Sequence, residues 1–215
     1  MKLRLYYPVR PFRVNQKWGD NVPCVRNFGL PSQLIVNGAN NFTCPAGFDK
    51  LYAHWGMSGH NGMDLQTGVQ SIYAACDGIV VEQQTVPARG LGLGILTNEQ
   101  YDFGNMGTHF IKIRYWHLKS FYCSVGDRIT AGQLIGISNN TGYSSGNHLH
   151  FEGQLYDKDP GGHPKLFAPL GSIAGSIDLE PFFVGMYADE VPDKIASLRA
   201  QIAALLQRLA ALIKK

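Results

Sequence analysis

The sequence lacks several features that would assign it to whole classes of protein. It has no uninterrupted apolar run of about 18 residues, so no helix is predicted to cross a bilayer. Its N-terminus, MKLRLYYPVRPFRVN, is basic but has no apolar stretch of about 7 residues or more, so a classical signal peptide is not predicted. The net charge of +3 comes without an extended basic tract, which argues against nucleic acid as a partner.

The four cysteines also lack the close Cys-x-x-Cys spacing of structural zinc sites. Cys24 and Cys44 flank a segment rich in Pro, Gly and Asn, and we expect a disulfide, if one forms, to join these two. Cys76 and Cys123 lie in apolar runs and are expected to be buried thiols.

Short strand-like runs between turns are abundant. The chain has 25 glycines and 11 prolines among many aromatic and β-branched residues, a composition that favours short strands and tight turns. Strand-like runs recur from Ser71 onward, and the run from His109 to Leu118 alternates between two faces. This rhythm predicts antiparallel sheets joined by hairpins, so we expect a mainly β fold.

Three regions follow from changes in composition along the chain. Residues 1–48 are rich in turn signals and are predicted to form a loop-rich segment packed on the core. Residues 49–187 hold the strand-like runs and form the predicted functional domain. Residues 193–215 follow a Val-Pro-Asp helix-start signal and are predicted to form a C-terminal amphipathic helix.

That C-terminal segment carries apolar residues at spacings that alternate between three and four: Ile195, Leu198, Ile202, Leu205, Leu209 and Leu212. Mainly Ile at one heptad position with Leu at the other favours a parallel two-stranded coiled coil, so a homodimer is the first choice. Packing back on the domain, a larger oligomer and contact of a cationic helix with anionic lipid are the alternatives.

Three histidine-bearing stretches are candidates for chemistry: GHNGMDL at 59–65, YWHL at 115–118 and HLHF at 148–151. Strand alternation places His148 and His150 on one side, about 7 Å apart. His60 and Asp64 are four residues apart and also return to one face of an extended chain. His60, Asp64 and His150 therefore suit one catalytic zinc ion per chain, which leaves a fourth position for water.

Two histidines remain for catalysis. A neutral imidazole at His117 or His148 can accept a proton from the zinc-activated water, and its protonated form can stabilise the oxyanion or protonate the leaving amine. Tyr115 precedes His117 by two residues on the same predicted face, so its hydroxyl is expected to help hold the tetrahedral intermediate. The other three histidines are expected to be ordinary surface or hydrogen-bonded residues: His54, His109 and His163.

The order of these motifs resembles the lysostaphin and LytM-like zinc endopeptidases, which cut peptidoglycan peptides. The resemblance runs from about Trp18 to about Phe151 and is densest in two blocks. The first is HNGMD followed by IYAACDGIV, and the second is YWHL followed by VGDRI, AGQLIG and TGYSSGNHLHF. It implies a small antiparallel β-fold with a groove over the metal.

The resemblance also implies roles for individual residues. By it the zinc ligands are again His60, Asp64 and His150, and the catalytic pair is again His117 and His148. Asn21 resembles a groove-facing position upstream of the first ligand. The long gap between Asn21 and His60, and the long hairpin over 84–108, depart from the family pattern and are expected to shape the groove walls.

The function predicted from the sequence is zinc-dependent hydrolysis of peptide bonds in bacterial peptidoglycan, either in a crosslink or in a stem peptide. The alternatives are a catalytically inactive wall-binding module or activator, and a zinc peptidase for soluble peptides. The expected site of action is the cell wall, which is periplasmic or extracellular. Without a predicted signal peptide, release would use a holin-like or other route, or an upstream segment outside this sequence.

Overall fold

The computed structural model describes residues 1–20, 59–158, 164–167, 175–191 and 202. Within these ranges the chain forms twelve strands. They are β1 (Val14–Gln16), β2 (Met63–Thr67), β3 (Ser71–Tyr73), β4 (Gly78–Val86), β5 (Gly90–Leu96), β6 (Tyr101–Asp102), β7 (Thr108–Phe121), β8 (Arg128–Ile129), β9 (Leu134–Ser138), β10 (His148–Lys158), β11 (Pro164–Leu166) and β12 (Ser176–Ile177). Two short 3-10 turns lie at Gly104–Met106 and Glu180–Phe182.

The strands pair antiparallel in the order β1-β2-β10-β7-β5-β4-β8. The end of β7 also pairs with β9, which in turn pairs with β3. The two longest strands, β7 and β10, are neighbours, with His150 opposite Trp116 and Tyr156 opposite Phe110. The prediction of a mainly antiparallel β-fold is therefore confirmed.

One face of β7 and β10 forms the centre of the hydrophobic core. Ile111, Ile113 and Tyr115 alternate along β7 and are fully buried, as are Phe151 and Leu155 on β10. Alternation by two residues delivers these side chains to the same side of the sheet, where burial of apolar surface stabilises the fold.

The first 20 residues complete this core. Leu3, Leu5 and Val9 are buried within the same apolar cluster. Leu5 also forms a parallel bridge with Phe183, so the beginning of the described chain lies against its last segment. Strand β1 extends the sheet by pairing with β2, the strand that carries Asp64. The N-terminal residues therefore support the strand from which the functional site is built.

The opposite face of β7 carries charged residues, as the alternation of the sequence predicts. Glu82 accepts hydrogen bonds from Lys112 and Arg114, and Arg114 also donates to Glu152 on β10 at 3.0 Å. Glu152 is fully buried, and the side chains of Lys112, Arg114 and Glu82 are between 9% and 13% exposed. Such buried charges are tolerated only when they are paired, so this network fixes β4, β7 and β10 relative to one another.

Several predictions fall on residues outside the described ranges. These are the Cys24–Cys44 disulfide, the position of Asn21, and the helix over 193–215 apart from Ile202, whose side chain is 55% exposed. Cys76 and Cys123 are free thiols; the first is buried, as expected, whereas the second is only partly buried. Across the described ranges, no helix is both long enough and apolar enough to cross a membrane.

Candidate active site

Four histidines surround the Asp64 carboxylate at the junction of β2, β7 and β10. Asp64 Oδ1 lies 3.3 Å from His60 Nε2, 3.2 Å from His148 Nε2 and 3.1 Å from His150 Nδ1. The fourth histidine ring, that of His117, lies 4.7 Å from the His148 ring between centroids. All five side chains are at least nine-tenths buried, so the cluster holds an unusual concentration of titratable groups away from water.

The register between β2 and β10 brings the cluster together. His150 is directly opposite Asp64, and a register shift next to His148 keeps both histidines beside the same carboxylate. Gly62 leaves room for this arrangement, because a Cβ at that position would lie 2.7 Å from both His150 Nε2 and the Phe151 carbonyl oxygen. The backbone of His60 is held by hydrogen bonds with Gly19 and Asp20 of the N-terminal segment.

A hydrogen bond at the far side of the His60 ring indicates which of its nitrogens carries the proton. His60 Nδ1 lies 3.1 Å from the carbonyl oxygen of Lys17 and therefore donates to it, which leaves a lone pair on Nε2. In the His150 ring, Nε2 lies 3.5 Å from the Glu152 carboxylate and Nδ1 lies 3.1 Å from Asp64 Oδ1. His60 Nε2 and His150 Nδ1 face each other across 3.0 Å, with the Asp64 oxygen beside them.

A metal ion fits this set of atoms. One ligand atom from each of His60, Asp64 and His150 can be chosen so that all lie within 4.8 Å of one another. Three acceptors pointed at one place repel one another unless a cation lies between them, and two imidazoles with one carboxylate is a ligand set common at catalytic zinc. The structure therefore brings together the three residues that the sequence predicts as ligands.

His117 and His148 are oriented by backbone carbonyl groups. His117 Nδ1 donates to the Thr141 carbonyl oxygen at 2.7 Å, and His148 Nδ1 donates to the Gly146 carbonyl oxygen, also at 2.7 Å. In both rings Nε2 is then the acceptor nitrogen. Both rings lie against the proposed ligands, because the His117 ring is 5.9 Å from the His150 ring between centroids and His148 Nε2 is 3.2 Å from Asp64 Oδ1.

An irregularity in β7 brings His117 to the cluster. Its backbone has a φ of 64°, which is uncommon for a residue other than glycine, and the register of β7 shifts here against both β5 and β9. Strict alternation would have directed His117 to the same face as Tyr115. The bulge turns it to the face that carries His150 instead.

Tyr115 is accordingly not part of the cluster, in contrast to the expectation from alternation. Its side chain is fully buried against Phe151 in the core, and its hydroxyl accepts a hydrogen bond of 2.9 Å from the Ala75 backbone N–H. Burial raises the pKa of Tyr115 well above its ordinary value. The hydroxyl therefore has a structural partner in the core.

Burial and mutual charge set the protonation of the cluster. Burial lowers the pKa of His60, and burial followed by the charges of His148 and His150 lowers the pKa of His117 to about 3. Burial alone raises the pKa of Asp64, but the charges of His148 and His60 outweigh it and hold that pKa well below its usual range. Near neutral pH the cluster therefore combines an ionised carboxylate with a neutral imidazole at His117.

Glu152 is a site residue that the sequence reasoning missed. Burial raises its pKa, but hydrogen bonding with His150 and the charges of Arg89 and Arg114 outweigh burial and hold the pKa well below its ordinary value. Burial lowers the pKa of His150, whereas its hydrogen bonds with Asp64 and Glu152 raise it by more. The available signal was strand alternation, because Glu152 follows His150 by two residues on the same face.

Comparisons with known proteins give this site a family context. Residues 58–160 match Peptidase family M23. Glycyl-glycine endopeptidase ALE-1 of Staphylococcus capitis is 39% identical over 95 residues, which cover 43% of this chain and 24% of that protein. Peptidoglycan DD-endopeptidase ShyA of Vibrio cholerae is 33% identical over 94 residues, which cover 43% of this chain and 20% of that protein.

Among solved structures, the catalytic domain of lysostaphin from Staphylococcus simulans aligns with 58% of this chain and 79% of that one, at 26% identity and a TM-score of 0.45. In ALE-1 and ShyA, the segment that matches this chain makes up at most about a quarter of the length of each protein. Both of these relatives are named as endopeptidases. The match over 58–160 includes all four histidines and Asp64, and residues 58–160 of this chain form a domain of Peptidase family M23, a family of metallopeptidases.

Proposed function

We propose that this protein is a zinc-dependent endopeptidase that hydrolyses peptide bonds in bacterial cell-wall peptidoglycan, in a crosslink or a stem peptide. The observation that carries the proposal is the convergence of His60, Asp64 and His150, with their acceptor atoms turned to one place. The names of two relatives, a glycyl-glycine endopeptidase and a peptidoglycan DD-endopeptidase, support the substrate class.

His60 Nε2, His150 Nδ1 and the Asp64 carboxylate would hold one zinc ion per chain. When bound, zinc polarises a carbonyl oxygen and lowers the pKa of water from about 16 towards 7. The chain would hold these metal ligands in position, because the Lys17 carbonyl and the Glu152 carboxylate contact the ring nitrogens of His60 and His150 that face away from the proposed zinc.

His148 and His117 would carry the proton transfers. Their Nε2 atoms are acceptors, so either ring can take the proton of the attacking water and later return it to the leaving amine. The carbonyl oxygens of Gly146 and Thr141 hold the two Nδ1–H groups, which fixes the ring orientation. Asn21 remains a proposed groove residue upstream of His60.

A catalytically inactive wall-binding module or activator is the alternative function. The complete set of four histidines and one carboxylate favours an enzyme, because burying five titratable groups together is costly unless they bind or transform something. In keeping with the substrate class, we propose the cell wall as the place of action.

The test is metal analysis followed by digestion of purified sacculi. We expect one zinc ion per chain, loss of activity on chelation and recovery when zinc is added back. Mass spectrometry of fragments released from sacculi of known crosslink chemistry would identify the bond. Zinc-loaded protein that binds sacculi without releasing fragments would contradict the enzyme and support the module. Faster cleavage of free peptides than of sacculi would favour the soluble-peptide peptidase.

Deletion of residues 193–215 is expected to leave zinc content and cleavage of a small soluble peptide unchanged, because all five site residues lie in 58–160. We expect the deletion to change either the mass in solution, measured by light scattering, or attachment to anionic vesicles, measured by sedimentation.

A full-length variant with Leu198→Lys and Leu205→Lys is the matched control for that deletion, because it disrupts only the proposed heptad seam. It should reproduce the change in mass if the segment is a coiled coil. A full-length protein that is monomeric and binds no vesicles would contradict both proposed roles of this segment.

A further inference from the structure

Glu152 is the most deeply buried charge next to the cluster, with none of its side chain exposed. It lies on β10 two residues after His150, on the face of the sheet that carries the cluster rather than on the hydrophobic face. A carboxylate in such a place must be satisfied on both oxygens, and its two oxygens have different partners.

The Oε1 atom is occupied by cationic and N–H donors. Arg114 Nη1 lies at 3.0 Å, Arg89 Nη1 at 3.3 Å and the indole Nε1 of Trp116 at 3.4 Å. These donors compensate the negative charge of Glu152 and hold one edge of the carboxylate in place.

The Oε2 atom faces the cluster. It accepts a hydrogen bond from the side-chain amide of Asn61, which directly follows His60, and it lies 3.5 Å from His150 Nε2. One oxygen thus connects the segments that carry both proposed histidine ligands. A carboxylate whose only task was to neutralise Arg114 would not need this second set of contacts.

We propose that Glu152 is a positioning residue that keeps His150 in its Nε2–H form and so leaves the Nδ1 lone pair turned toward His60 and Asp64. This inference rests on the proposed metal site. It also explains how the Nδ1 lone pair of His150 stays available beside a second carboxylate. Asp64 Oδ1, 3.1 Å from Nδ1, competes for the same ring proton, and a proton on Nδ1 would block that nitrogen as a ligand. Glu152 supplies the opposing acceptor.

Glu152→Gln keeps the size of the side chain but removes its charge. We expect its zinc affinity, measured by competition with a chelator, to fall about 10-fold to 100-fold, the usual effect of losing a partner behind a metal-bound histidine. Glu82→Gln is the matched control. Glu82 pairs with Arg114 and Lys112 in the same network, and its ion pairs among the described residues do not include His150. Its zinc affinity should stay at the level of the unmodified protein.

A second measurement needs no substitution at Glu152. Long-range proton–nitrogen correlation spectra of the unmodified, zinc-free protein distinguish Nε2–H from Nδ1–H imidazole, and the His150 signals are those lost in His150→Gln. We expect the Nε2–H form at a pH where the ring is neutral. This readout decides the proposal even if Glu152→Gln does not fold.

The inference is overturned if His150 carries its proton on Nδ1, or if Glu82→Gln weakens zinc binding as much as Glu152→Gln. Failure of the proposed function looks different, because the unmodified protein would then bind no zinc at all. Retained zinc affinity in a folded Glu152→Gln variant would also overturn the inference while leaving the proposed function intact.

Discussion

Asp64→Ala is expected to abolish zinc binding and peptidase activity together. Asp64 Oδ1 lies within 3.3 Å of three imidazole nitrogens, from His60, His148 and His150. Its removal takes away both a proposed ligand and the anion that organises the rings. We expect the zinc affinity to fall by more than about 100-fold, since loss of a mere supporting partner already costs about 10-fold to 100-fold.

Zinc content of the purified protein and turnover on sacculi measure this effect. Asp102→Ala is a suitable control, because the Asp102 carboxylate accepts a hydrogen bond from the Gly104 backbone N–H in an exposed turn. That variant should keep both zinc and activity. An Asp64→Ala protein that is folded and retains stoichiometric zinc would show that the carboxylate is not a ligand.

His148→Ala and His117→Ala are expected to separate catalysis from metal binding. Each removes an Nε2 acceptor that is oriented by a backbone carbonyl and placed beside the proposed ligands. Each variant should keep its zinc and lose about 100-fold to 1,000-fold in turnover, the usual effect of removing one transition-state stabiliser. Zinc analysis and turnover on the same preparations test both parts of the prediction.

His109→Ala provides the matching control for these two variants. His109 is also a buried histidine, but its partners are Asp157 and the Met106 carbonyl, outside the cluster. The folded fraction of this variant should keep its turnover. Loss of zinc from both His148→Ala and His117→Ala would contradict the assignment of these two histidines as catalytic residues rather than metal ligands.

The local residue pattern was sufficient to predict the strands and to predict which residues make up the cluster. Alternation along the run from His109 to Leu118 predicted a strand with two different faces, and in the structure Ile111 and Ile113 lie in the core while Arg114 lies among the charged residues. The i, i+2 spacing of His148 and His150 likewise predicted a shared side. These features follow from the backbone geometry of an extended chain, which depends only on neighbouring residues.

Long-range pairing decided the features that alternation could not predict. The bulge at His117 occurs where β7 meets β5 and β9, strands that are distant from each other in the sequence. No residue type near His117 predicts its φ of 64°. The backbone keeps this strained conformation because strands pair with β7 on both sides. As a consequence, Tyr115 is buried in the core, whereas His117 lies in the cluster.

The sequence by itself determined the candidate metal ligands, the strand periodicity and the family resemblance. All three depend only on the local order of residues. Only the tertiary structure decided that the Lys17 carbonyl holds the His60 ring, that Arg89 and Arg114 pair with Glu152, and that residues 1–20 support β2. Those contacts join segments far apart in the chain. They form only when the sheet is assembled, because burial then forces each polar group to find a partner from another strand.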